Sequence, residues 1–147
     1  MGNENPNTKE YNMKELKIDA LVENLDQVLA FVDAELEAME CSMKTQMQID
    51  VAVEELFVNI ASYAYAPETG DAIIGVESFQ DPQRVEITFI DEGIEYDPLK
   101  KEDPDVTLAA EERQIGGLGI YMVKKSMDNM EYKRQDGKNI LKITKNL

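Results

Sequence analysis

Two strand-length runs stand back to back near the middle of the chain, and they restrict the fold more than any other feature. Ala72–Phe79 and Arg84–Ile90 are separated only by Gln80-Asp81-Pro82-Gln83, a stretch suited to a tight reversal. Val85, Ile87 and Phe89 alternate with Glu86 and Thr88, so one face of that strand is expected to be buried. So short a link joins antiparallel neighbours, because a parallel crossover needs a dozen residues or more. A second pair ends the sequence: Met130–Arg134 and Ile140–Thr144 flank the turn Asp136-Gly137-Lys138.

Helical periodicity fills the stretch before the first hairpin. Leu21, Leu25, Val28, Leu29, Val32 and Leu36 recur at helical spacing up to Met39, with no Gly or Pro between them. Ser42 is suited to cap a second helix, with Thr45 as the alternative. That helix is expected to run to about Ala64, where Pro67 and Gly70 end it. Tyr11–Ile18 reads as a strand before the helices. A third helix is expected from about Gly119 to Ser126. Strands arriving in hairpins predict an α+β fold: a two-layer α/β sandwich whose mixed, mostly antiparallel sheet is covered on one face by about three helices. They argue against a doubly wound fold. Residues 1–10 read as a polar, disordered tail rather than a signal peptide. Residues 11–147 read as one domain. The stretch from Asp91 to Gly117, with Pro98 and Pro104, is too long for an idle connection in a compact domain.

Composition enters by exclusion. The chain has 30 acidic against 15 basic residues, a formal charge of −15. Such a surface repels nucleic-acid phosphates and anionic lipid heads, so no direct nucleic-acid or membrane role is expected. No apolar run approaches the roughly 18 residues that span a bilayer. There is no histidine, which removes histidine triads, histidine-ligated zinc and phosphohistidine chemistry. The single cysteine, Cys41, has no internal disulfide partner, which fits a reducing compartment. A cytoplasmic location is the expectation.

Three local patterns carry chemistry. Glu55 and Asn59 are four residues apart and share a helix face, with Ser62 a turn later. The stripe Ile49, Val53, Leu56 and Ile60 occupies another face. A carboxylate so placed can accept a proton, and an amide oxygen can ligate magnesium. Asp91-Glu92-Gly93 follows a strand directly; an Asp there can accept a hydrogen bond from an exocyclic amine such as adenine's, and Gly93 permits close backbone approach. Gly116-Gly117-Leu118-Gly119 leads into the third helix. Exposed N–H groups and the helix N-terminus together form an anion cradle. The segment lacks a P-loop's Gly-Lys-Ser/Thr ending and does not follow a strand as a dinucleotide fingerprint does.

In that order these pieces resemble the GHKL ATPase superfamily, shared by gyrase, MutL, the heat-shock chaperone ATPase and histidine kinases. The pieces are Glu55-Leu-Phe-Val-Asn59, Asp91-Glu-Gly93 with Asp97-Pro98, and Gly117-Leu-Gly119-Ile-Tyr-Met-Val. The resemblance spans roughly residues 12 to 145 and is greatest to the short anti-sigma-factor serine kinases. It implies ATP and Mg²⁺ as cofactors, Glu55 as general base, and Asn59 as the Mg²⁺ ligand. It implies Asp91 as the adenine reader with Gly93 beside the ring, and Gly116, Gly117, Leu118 and Gly119 as the phosphate turn. A lid is implied over about 99–115, with Arg113 reaching the phosphates. Asn139 is the nearest match to a threonine that relatives turn toward adenine. The implied partners are a sigma factor and a STAS-type anti-anti-sigma protein, and a homodimer is suggested. The implied activity is protein serine kinase; an ATP-binding anti-sigma module without turnover is the alternative.

Overall fold

A computed structural model describes residues 13–100 and 117–147. The expected tail at 1–10, most of the expected lid, Arg113 and Gly116 lie outside those residues.

Five strands, β1 (Met13–Asp19), β2 (Asp71–Phe79), β3 (Arg84–Asp91), β4 (Asn129–Gln135) and β5 (Lys138–Asn146), form one sheet in the order β1-β2-β3-β5-β4. Every pairing among them is antiparallel, the limiting case of the mostly antiparallel sheet expected. Phe79 pairs with Arg84 across the first hairpin, and Gln135 with Lys138 across the second. Asp136 and Gly137 both take positive φ, 52° and 76°, the backbone that matches a two-residue turn to strand twist.

Three helices cover one face: α1 (Leu25–Ala38), α2 (Met43–Asn59) and α3 (Gly117–Ser126). The sheet face beneath them is the alternating set Ala72, Ile74, Val76 on β2 and Val85, Ile87, Phe89 on β3, all buried. Val28, Val32 and Leu36 of α1 and Ile49, Val53, Leu56 and Phe57 of α2 close over it, with Ile120 and Val123 of α3. Burying one such large side chain contributes about 1.5–3 kcal/mol. The helix α2 lies in the middle, in contact with both α1 and α3.

The first helix is shorter than its periodicity suggests. A 3-10 turn, Val22–Asn24, precedes α1, and the Asn24 side-chain amide donates to the Asp19 carbonyl at 2.9 Å. That local bond competes with a continuous helix. The second helix starts where its cap predicts, with the Ser42 hydroxyl accepting from the Thr45 N–H at 3.2 Å. Among the described residues no helix is long and apolar enough to cross a membrane.

The α1–α2 seam contains a carboxyl pair. Asp33 and Asp50 lie near enough for their carboxyls to act on each other. One oxygen of each is buried without a hydrogen-bond partner. Burial first, then the neighbouring Asp33 carboxyl and the Glu37 charge, push Asp50 up to about 7 from 3.8. Burial first, and Asp50 second, also push up the Cys41 thiol. A carboxyl whose folded pKa is raised holds a proton that the unfolded chain has released. Stability therefore falls as pH rises from about 4 to about 7, and the full cost is present above that window. Each pH unit is worth at most about 1.4 kcal/mol, and water at this half-buried pair reduces the total to about 1–2 kcal/mol. Asp50→Asn is expected to raise the melting temperature at pH 8 by about 3–8 °C. At pH 5 the gain shrinks to roughly a third. Thermal melts at the two pH values check this, and an equal gain at both shows that the raised Asp50 carboxyl does not govern the effect.

Candidate functional site

The site begins where α2 changes its winding. After Asn59 the chain continues as a π-helical turn, Ile60–Ala64, which fits an extra residue into the turn. Asn59, Ile60, Tyr63 and Ala64 thereby line one wall of a cavity of about 450 Å³, a volume within the range of small-molecule sites. The opposite wall is Phe89 and Asp91 from the end of β3 and Asn139 and Leu141 from β5. Leu56, Ile94, Tyr96, Pro98, Ile120 and Tyr132 complete it.

Asp91 is 6 % exposed, and its carboxylate is held in place. Its Oδ1 accepts from the Gly93 N–H and from the Asn139 side-chain amide, both at 2.9 Å. Asn139 in turn donates to the Ile94 carbonyl at 2.7 Å, and its Oδ1 accepts from the Tyr132 hydroxyl at 2.6 Å and the Tyr96 N–H at 3.3 Å. Both amide protons and both lone pairs of Asn139 are thus engaged within the protein. Asn139 positions Asp91 and the 94–96 strand of loop, and has no group left for a ligand's purine. That corrects the threonine-like contact expected of it. No described hydrogen bond occupies Asp91 Oδ2.

Gly93 also differs from expectation. A side chain there would run into the carbonyl oxygen of Ala64 and lie 2.6 Å from its carbon. The close approach that requires glycine is therefore to the π-helical turn, and the Ile94 N–H donates to that same Ala64 carbonyl at 2.9 Å. Tyr65 staples the other side. Its hydroxyl donates to the Asp71 carbonyl at 2.6 Å and accepts from the Glu92 N–H at 2.8 Å. Burial pushes its phenol up from the ordinary value.

Glu55 sits one turn before Asn59 and lines an adjoining groove between α2 and α3, with Gly119 opposite. A Cβ on Gly119 would overlap the Glu55 carboxylate, so carboxylate and glycine are in direct contact. The two depressions meet at the first turn of α3: Gly119 lines the groove and Ile120 the cavity. The Tyr96 phenol, on the cavity side, is pushed up by burial and then by the Glu55 charge. Gly117 opens α3 and Leu118 follows it. Glu55, Asn59, Asp91 and Gly119 are therefore gathered around one junction.

Sequence reasoning missed Tyr132 and Arg134. Both lie on β4 on the helix-covered side, since Tyr132 pairs with Leu141 and Arg134 with Asn139. The Arg134 guanidinium donates to the Gly93 carbonyl at 2.9 Å. Their alternation with Glu131 and Lys133 was the available signal. The exposed Glu95 carboxylate contributes, after burial, to raising the Tyr132 phenol.

The residues present fit a purine nucleotide and an oxygen-seeking cation. A fixed, buried carboxylate faces the apolar cavity, and the Asn59 amide is a hard oxygen donor at its rim. Among the described residues no three His, Cys, Asp or Glu could hold a metal by themselves. Magnesium carried by phosphates and water needs only one or two protein ligands.

An antiparallel sheet, helices on one face and a nucleotide-sized cavity at the α2–α3 junction define a class, and residues 18–145 match the Histidine kinase-like ATPase domain family. The chain belongs to that family. Among its curated relatives, the serine/threonine-protein kinase BtrW of Bordetella bronchiseptica is 28 % identical over 70 % of this chain and 72 % of its own. The serine-protein kinase RsbW of Bacillus cereus is 28 % identical over 62 % of this chain and 58 % of its own. The match thus spans little more than half the length of that relative. The structure of the RsbU and RsbW domains of Rv1364c from Mycobacterium tuberculosis superposes with a TM-score of 0.64 over 90 % of this chain and 32 % of that one, at 14 % identity. That likeness is one of fold.

Proposed function

We propose that this chain is a Mg·ATP-dependent protein serine kinase that phosphorylates a STAS-type anti-anti-sigma partner and acts as an anti-sigma factor. The observation that carries the reading is the junction itself. Asp91 and Asn59 line a nucleotide-sized cavity while Glu55 touches Gly119 in the first turn of α3.

In this reading Asp91 Oδ2 would accept a hydrogen bond from adenine's exocyclic amine, and Ile94, Leu141 and Phe89 supply apolar lining for the ring. The N–H groups at the start of α3, with its partial positive charge, receive the phosphates. Asn59 would hold Mg²⁺, which would offset phosphate charge. The partner's serine hydroxyl gives its proton to Glu55 while its oxygen bonds to the γ-phosphorus. The bond from that phosphorus to the β-bridging oxygen breaks, and ADP leaves with the electron pair. Glu55 thus holds the proton and orients the hydroxyl; the glycine turn and Asn59 fix the donor. The kinase names of BtrW and RsbW support the activity.

The test is calorimetric and chemical. ATP is expected to bind the purified chain more tightly with Mg²⁺ than without, and a STAS-domain protein from the same source is expected to gain phosphoserine. If ATP fails to bind at millimolar concentration, the reading is wrong. A second reading, an ATP-binding anti-sigma module without turnover, is favoured by Glu95, which adds negative charge beside Tyr132 at the cavity. Binding without phosphoserine selects it.

A further inference from the structure

Glu55 does not line the cavity that holds Asp91 and Asn59. It lines the neighbouring groove, of about 440 Å³, whose other walls are Val51, Ala52, Glu54, Gly119, Met122, Val123 and Ser126. This division has a chemical reading. In an in-line transfer the acceptor oxygen approaches the phosphorus from the side opposite the departing ADP. The group that takes the acceptor's proton must lie on that approach. The groove is the side from which Glu55 is reached, with the first turn of α3 as the partition between the two depressions.

The surface leading to the groove is unlike the rest of this strongly acidic chain. Met43, Met47, Val51 and Glu55 are spaced four apart on α2, so they form one slowly winding row. Met43 is 75 % exposed, Met47 61 %, Val51 63 %, and Met122 on the facing side of the groove 53 %. Three other exposed large apolar residues, Tyr63, Ile94 and Tyr96, line the nucleotide-side cavity. Met13 and Val22 are exposed elsewhere, on β1 and before α1; the other exposed large apolar residues among the described residues lie on the α2 row, in the groove or around the cavity. Unbranched methionines adapt to partner surfaces of varied shape. Glu54 and Glu55 set the charge of the groove, and they oppose a carboxylate beside the incoming hydroxyl while accepting an apolar or cationic neighbour.

We infer that the α2–α3 groove is the acceptor subsite: the partner protein seats there an apolar side chain that flanks its target serine, between Val51 and Met122, and lies along the Met43–Met47 row. The inference rests on the kinase reading and adds the local chemistry of the acceptor. The target serine has an apolar neighbour and no adjacent carboxylate. Val51 and Met122 are specificity-determining residues that touch neither nucleotide nor metal.

The test uses the full chain, Mg·ATP and the STAS-domain protein on which the wild type deposits phosphoserine. Val51→Glu and Met122→Glu place charge at exposed helix positions where glutamate is a good helix former. Each is expected to raise KM for the acceptor by about tenfold, the scale of a lost apolar contact with added repulsion. ATP affinity and kcat at saturating acceptor are expected to hold, and Val51→Ile is expected to behave as wild type. With ¹³C-methyl-labelled methionines and a non-hydrolysable ATP analogue, the Met43, Met47 and Met122 signals are expected to shift on adding acceptor. Unchanged KM in both glutamate variants overturns the inference and leaves the kinase reading intact. So do methionine signals that respond to dilution of the chain rather than to acceptor, which assigns the row to a second copy. If the wild type phosphorylates no serine at all, the kinase reading itself fails and the subsite falls with it.

Discussion

Glu55→Gln is expected to abolish phosphoserine formation while ATP still binds. Positioned acid–base groups contribute about 10²–10⁴ in rate, so the kcat for transfer should fall by a factor of that size. The substitution changes charge and proton affinity but hardly shape. Glu55 is half-buried on α2 and touches Gly119, and an amide of the same size keeps that packing. Stability and ATP affinity should therefore stay close to wild type, because the cavity is lined by Asn59 and Asp91 rather than by Glu55. Rapid-quench measurement of phosphoserine, beside calorimetric titration with Mg·ATP, separates the two quantities. A Glu55→Gln protein that phosphorylates at the wild-type rate removes Glu55 from the proton-accepting role. Loss of ATP binding in the same variant would instead make Glu55 part of the nucleotide site.

The architecture was legible from local pattern because the pattern is local. Val85, Ile87 and Phe89 alternate, Gln80–Gln83 reverses the chain, and these alone give a hairpin with one buried face. The spacing of Glu55 and Asn59 placed both beside the α2 core stripe for the same reason. What sequence could not supply depends on strand register and on fine changes of winding. The π-helical turn at Ile60–Ala64 has no composition that distinguishes it from continued α-helix, yet it forms a cavity wall. The Asp91–Asn139–Tyr132 chain of bonds requires β3 beside β5 and β5 beside β4. The Asp91–Asn139 contact joins residues 48 apart in sequence, and only the sheet order makes them neighbours. Asn139 could be noted as polar, but not as fully engaged. The Asp33–Asp50 pair likewise needs α1 packed on α2. Gly93 was expected to let the backbone approach a ring, whereas the atom that a side chain there would meet is an Ala64 backbone oxygen.

Gly93 and Gly119 meet neighbours of different kinds. Gly93→Ala is expected to destabilise the protein by about 2–4 kcal/mol, at or above the usual range for overpacking. The reason is that the obstacle is backbone. A methyl group at 93 would meet the Ala64 carbonyl, whose oxygen accepts from the Ile94 N–H at 2.9 Å. Relief requires the 91–94 turn to move away from the π-helical turn. Gly93 is also tied through its N–H to Asp91 and through its carbonyl to Arg134, so movement carries the Asp91 carboxylate with it. ATP affinity should fall together with the melting temperature. Gly119→Ala meets a different neighbour, the end of the flexible Glu55 side chain. That end can swing aside, and alanine favours a helix over glycine by about 1 kcal/mol. The expected outcome is a melting temperature equal to or above wild type, with phosphoserine formation lost because the carboxylate has been displaced. Measuring both quantities for both variants decides the matter. If Gly93→Ala melts like wild type, the Ala64 contact is not what holds the turn. If Gly119→Ala retains full transfer, the contact between Gly119 and Glu55 does not set the position of the base.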